Sequence, residues 1–294
     1  MITPGLHPAL PVATYRADND YLSVSALRAA LPECYRCAGG PSEALDFGRL
    51  FHAVVLEPDR LDERYAVLDP GTVGRRADGS IADNPTATRA WKDAAAEVAA
   101  SGRTLVSPER WERAHAMRDA VARSSAAAEL LFDLPGETMV SAFCASPDGR
   151  RYKARYDRLL SGIAVDLTST STRPGIDSLA RAVVEHGYDL SAAHGLAVGD
   201  GLGLALESVV IIFVSKEPPH HRVTVCDLAD DFLLRGRVLR ALAVERITDP
   251  DAEPYEGAGG RLTLPLPSSA RVARSSDTTG AVAATTGAEQ EERR

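Results

Sequence analysis

The sequence predicts an α/β fold, with a mixed central sheet flanked by helices and a helical region ahead of it. Three observations carry this. Apolar residues recur at helical spacing through much of residues 22–132. From about residue 138 the period drops to two, with turn residues between short segments. Residues 206–214 are then nearly continuously apolar and β-branched, as a strand covered on both faces is.

Each element follows from local chemistry. Residues 1–20 read as an irregular lead-in. A short helix is predicted over 22–31, with Ser23 or Ser25 as its cap. A second is predicted over 43–56, ended by Pro58, with Leu45, Phe51, Val55 and Leu56 on a buried face. Residues 69–87 hold Gly, Pro, Asp and Asn and read as a loop. Helices follow over 88–100 and 108–122, the latter opened by Ser107-Pro108-Glu109 with proline at the first helical position. Residues 126–132 read as a further helical turn. Strands are predicted over 138–145, 151–159 and 163–168, separated by Pro147-Asp148-Gly149 and Ser161-Gly162. Helices over 176–186 and 190–197, strands over 206–214 and 223–228, and a closing helix over 231–247 complete the order. One domain spans 21–258, helical over 21–135 and sheet-built over 136–258. Residues 259–294 have almost no large apolar side chains, so disorder is expected there.

The chain has 294 residues, 45% of them hydrophobic, and a formal charge of −8. That charge counts against a molecule coated in basic surface for non-specific nucleic-acid binding. It leaves room for a local basic stripe beside a carboxylate site. No apolar run reaches the roughly 20 residues a membrane helix needs, and no basic-then-apolar leader opens the chain. Cys34, Cys37, Cys144 and Cys226 are scattered and read as reduced, so an intracellular, cytoplasmic protein is expected. Cys34-x-x-Cys37 lacks the further cysteines of an iron–sulfur or zinc site. His220-His221 reads as a solvated turn, and Gly199-Asp200-Gly201-Leu202-Gly203 as a loop without phosphate-loop context.

The chemistry concentrates in the second and third strands. Side chains alternate along a strand, so Lys153, Arg155 and Asp157 share one face, as do Asp166 and Thr168. A tight connection brings Asp157 beside Asp166. Two neighbouring carboxylates repel unless they are solvated, protonated or bridged by a cation. Mg²⁺ or Mn²⁺ takes oxygen ligands and tolerates one imidazole. Solvated strand ends and salt-bridge partners are the plainer reading of such a pair. Arg151, Lys153 and Arg155 either line a DNA channel beside it or belong to a solvated hairpin.

A resemblance narrows these alternatives. The stretch Asp46-Phe47-Gly48-Arg49-Leu50-Phe51-His52-Ala53-Val54-Val55-Leu56-Glu57-Pro58 resembles the G-x-x-x-H-x-x-x-L-E-P segment of RecE-type nucleases, the exonuclease VIII family. Val24-Ser25-Ala26-Leu27 with Leu31-Pro32 is similar to that family's opening. Tyr188-Asp189-Leu190-Ser191-Ala192-Ala193-His194 and Phe213-Val214-Ser215-Lys216-Glu217-Pro218-Pro219 are similar to two later segments, in the same order and spacing. The likeness covers roughly residues 21–255. It implies a restriction-endonuclease-like (PD-(D/E)XK) core. It also implies a divalent ion held by His52, Asp157, Asp166 and the carbonyl of Leu167. The implied activity is digestion of linear double-stranded DNA from its ends during phage or prophage recombination. The single strands left would pass to an annealing partner, and such exonucleases commonly form homo-oligomers.

Three positions depart from the family pattern. Thr168 stands where Asp-x-Lys has its lysine, which positions or deprotonates water and offsets phosphate charge. No acid stands in register with Ser141 on the first strand. Ser191, carried over as a DNA contact, replaces a glutamine. Two readings stay open: a cation has migrated, with Lys153 or Arg155 serving the site beside Thr168, or catalysis is lost and the fold is kept for binding DNA or a recombination partner.

Overall fold

The computed structural model describes residues 2–249, except 9, 33, 35–42, 77 and 172–174. The tail over 259–294 and Cys37 lie outside the described residues. In chain order the described elements are β1 (Gly5–His7), α1 (Val12–Ala17), α2 (Val24–Ala29), α3 (Glu43–Leu56), α4 (Leu61–Arg64), β2 (Tyr65–Val67), α5 (Pro70–Val73), α6 (Arg89–Ala100), β3 (Thr104–Val106), α7 (Pro108–Arg123) and α8 (Ser125–Ala128). They continue with β4 (Gly136–Ala145), β5 (Arg151–Leu160), β6 (Ile163–Thr170), α9 (Ile176–Glu185), α10 (Tyr188–Asp200), β7 (Ser208–Ser215), β8 (Val223–Asp227) and α11 (Asp230–Thr248).

The strands form a six-stranded mixed sheet in the order β1-β4-β5-β6-β7-β8. All neighbours are antiparallel except β6 and β7, which run parallel and are joined through α9 and α10. Gly162 turns the chain between β5 and β6 at φ +78°, a conformation costly for any residue with a Cβ. Helix starts follow their caps. The hydroxyls of Ser23, Thr88 and Ser107 accept from the amides of Ala26, Trp91 and Arg110 at the heads of α2, α6 and α7.

Helices cover both faces of the sheet. On one face Phe47, Leu50, Phe51, Val54 and Val55 of α3 pack with Met117 and Val121 of α7 against Leu167, Val210 and Ile212. On the other, Leu27 of α2, Leu190 and Val198 of α10, and Leu233 and Val244 of α11 cover Ala142, Ala154 and Tyr156. β7 is buried along nearly its whole length because both layers close over it. That is the α/β, mixed-sheet architecture the sequence predicts.

Some expectations need correction. Residues 1–20 are not wholly irregular: β1 pairs with β4, and α1 follows. Both are too short to show a period, and β1 owes its place to the edge of β4. The helical region also holds a parallel ribbon of β2 and β3, three residues each. The expected loop over 69–87 contains α5, capped by Asp69. Leu45 is exposed, because the apolar stripe of α3 runs through residues 47, 50, 51, 54 and 55 and passes it by. Gly199 and Asp200 end α10 rather than opening a loop.

Candidate active site

Three elements converge on one point. His52 sits near the end of α3, whose buried face fixes it against the sheet. Asp157 lies in β5 and Asp166 in β6. The β5–β6 ladder pairs Arg158 with Val165 and Leu159 with Ala164, so the next step of that register sets Asp157 opposite Asp166. There the ladder stops and the strands part. The Leu167 amide, freed from strand pairing, donates to Asp157 Oδ2 at 2.9 Å. On the other side of Asp157, β4 is distorted. Met139, between the partners of Arg158 and Tyr156, has φ +53°, a conformation rare for a bulky side chain.

His52 Nδ1 lies 3.5 Å from Asp157 Oδ1, with the two side chains 28% and 12% exposed. Burial works against charge on His52. The Asp157 carboxylate, the Asp166 charge and the Leu167 carbonyl outweigh it and raise His52 to about 9. Burial raises Asp166, and the Asp157 charge and hydrogen bond add to it, bringing Asp166 to about 8. Burial also acts to raise Asp157. The His52 charge and the Leu167 amide prevail and hold it below the ordinary carboxylate range. One acid is therefore ionised and the other protonated at neutral pH. The positive charge beside Asp157 is the protonated imidazole of His52.

The donor chemistry fits a hard divalent ion, with two carboxylates, a carbonyl and one imidazole facing one another. Among the described residues no three His, Cys, Asp or Glu side chains stand at metal-ligand spacing.

The remaining expected residues divide. Thr168 Oγ1 bonds the Tyr188 hydroxyl at 3.0 Å, beside the acids. Ser191, half-buried on α10, lines a cavity of about 680 Å³ that also reaches Asp157, Asp166, Tyr188 and Ser23. Lys153 and Arg155 line it too, but their charged ends are bound elsewhere. Lys153 Nζ donates to the carbonyls of Tyr15 (2.7 Å) and Asp18, and lies 4.8 Å from the Tyr15 ring centre. Arg155 donates to the Leu10 carbonyl at 3.0 Å and Ser141 Oγ at 2.6 Å. The shared strand face is present, but the N-terminal segment has claimed its cations. Arg151 lies over the Tyr21 ring, away from the acids.

Arg28 carries no signal in the sequence. This α2 residue donates to the Gly187 carbonyl at 2.9 Å, and its charge lowers both Asp166 and Tyr188. Burial nevertheless dominates at Tyr188 and raises it, so the phenol stays protonated. A single arginine on a short helix has no periodic signature. The available clue was Tyr188, which opens a family-like segment directly after the residue that Arg28 binds.

No family model matches the sequence, and no curated protein matches it. Several solved structures match, among them two that cover most of this chain. One is a Eubacterium rectale protein named "putative exonuclease", at 15% identity and a TM-score of 0.51, over 82% of this chain and 85% of that one. The other, SSO0001, is 11% identical with a TM-score of 0.29, over 76% of this chain and 84% of that one. The first shows a shared fold. Among the described residues no helix is long and apolar enough to cross a membrane.

Proposed function

We propose that this chain is a divalent-metal-dependent exonuclease of the PD-(D/E)XK type, acting on the ends of linear double-stranded DNA. The observation that carries the reading is the convergence of His52, Asp157, Asp166 and the Leu167 carbonyl where β5 and β6 part. Bound Mg²⁺ or Mn²⁺ supplies Lewis acidity and an activated water at such a site. Asp157, aimed by the Leu167 amide, and Asp166 would hold it with His52. Holding it requires Asp166 to ionise and His52 to give up its proton. Tyr188 and Thr168 offer neutral hydrogen-bond donors where the family's lysine would stand, and Arg28 brings the nearby positive charge. The resemblance to RecE-type proteins supports a recombination role with an annealing partner and a homo-oligomeric assembly.

The second reading is a non-catalytic DNA- or partner-binding protein on the same fold. Thr168 in place of lysine favours it, as does the capture of Lys153 and Arg155 by residues 10–18. Digestion of linear duplex DNA with Mg²⁺ or Mn²⁺ separates the two. Digestion by the wild type, abolished in both Asp157→Ala and Asp166→Ala, is expected. Activity surviving in either variant defeats the mechanism, and no digestion by the wild type with either ion favours the binding protein.

A further inference from the structure

A second charged feature lies outside the acid site. Arg113 of α7 and Lys216, the residue after β7, each approach the ring of Phe47, with their charges 5.8 Å from its centre. Phe47 is buried, Lys216 half-buried and Arg113 exposed. Among the described residues neither cation has a carboxylate within ion-pair distance. Burial lowers Lys216, and the Arg113 charge lowers it further. The ring attracts each cation, while the two like charges repel one another. An anion between them removes the repulsion.

The place of this pair bears on which anion. Phe47 precedes His52 by five residues on α3, about 7.5 Å along the helix. Lys216 donates its amide to Thr170, four residues and about 13 Å beyond Asp166 along β6. A duplex strand advances about 3.4 Å per nucleotide. The pair therefore stands about two to four nucleotides from the acids. Arg110, one turn earlier on α7, fixes this helix to the start of α3 by donating to the Glu43 carbonyl at 2.7 Å.

We propose that Arg113 and Lys216 grip a backbone phosphate of the nucleic-acid strand that leads away from the acid pair. This rests on the nuclease reading for its ligand but not on catalysis. The contact carries no base information, so it serves every sequence alike. It also gives an acidic chain a local attachment point without a basic surface overall.

The test is equilibrium binding of linear duplex DNA in EDTA, from about 50 to 200 mM salt, where phosphate contacts set the salt dependence. The chains are the wild type, Arg113→Gln/Lys216→Gln, and a charge-matched control, Lys92→Gln/Arg123→Gln, on α6 and the far end of α7. The expected result is weakening of several-fold or more in the first double variant. Its log–log salt slope should fall by about one, with the control unchanged. Wild-type binding that the first double variant reproduces, slope included, overturns this contact and leaves the nuclease reading standing. Equal weakening in the control also overturns it, since net charge alone would then explain the loss. A wild type that binds no DNA defeats both.

Discussion

His52 Nδ1 stands 3.5 Å from Asp157 Oδ1, so a proton on the imidazole occupies the space between α3 and the acid pair. That arrangement holds a carboxylate ionised, but it leaves Asp166 half-buried beside the Asp157 charge and raised to about 8. A divalent ion bound there would relieve that repulsion.

The first prediction concerns stability without metal. Asp166→Asn keeps the shape and removes the acid that burial and Asp157 oppose. The variant should melt higher than the wild type in EDTA at pH 8.5, where ionisation of Asp166 is most costly. A gain of about 1 kcal/mol corresponds to about 2–4 °C in a chain of this size. A lower Tm in the variant would mean that Asp166 serves packing or hydrogen bonding instead.

Arg28 and Tyr188 test how the site manages without the lysine. Arg28→Gln should lower kcat on linear duplex at least ten-fold while leaving KM within a factor of about three. Arg28→Lys should recover part of the loss. Tyr188→Phe should cost about 1 kcal/mol of stability through the lost Thr168 bond, together with a fall in kcat. Unchanged kcat in both Arg28→Gln and Tyr188→Phe would remove these residues from the account.

His194 makes the fold acid-sensitive. It is 1% exposed. Its Nε2–H faces the Lys153 carbonyl at 2.9 Å, and its Nδ1 accepts from Arg240 Nε at 3.4 Å. Both contacts suit the neutral ring. Burial lowers it from 6.5 to about 4. The unfolded chain therefore binds the proton first, and stability falls as pH drops from about 6.5 towards 4. The loss attributable to this residue is up to about 3 kcal/mol. Chemical denaturation of the wild type and His194→Gln across that range measures it. Parallel pH slopes for the two proteins would show that His194 is not the titrating group.

Gly236 tests the packing behind the site. A Cβ there would come within 2.1 Å of the Asp189 carbonyl, where α10 and α11 cross. That carbonyl is backbone and cannot rotate away. The Asp189–Arg235 ion pair fastens the same crossing. Gly236→Ala should cost about 3 kcal/mol or more, read as a lower denaturant midpoint. A loss below about 0.5 kcal/mol would show that the helices separate freely.

What the sequence revealed depended on the range of the interaction. Caps at Ser23 and Ser107, the stripe on α3 and the apolar run of β7 are local signals, and those elements stand where local chemistry puts them. The Asp157–Asp166 pairing was legible because strand period and turn length set it. The engagement of Lys153 by Tyr15 and Asp18 was not. It joins residues 135 or more positions apart through backbone carbonyls that any sequence supplies. β1 and the β2–β3 ribbon were hidden because three residues show no period, and Arg28 because its target is a bare carbonyl.

Nuclease activity here turns on whether the acid pair takes a divalent ion. Calorimetric titration of Mn²⁺ into the wild type, Asp157→Ala and Asp166→Ala at pH 8 tests this directly. One ion per chain in the wild type, with binding lost in both variants, is the predicted result. No binding by the wild type, or equal binding by all three, would contradict it.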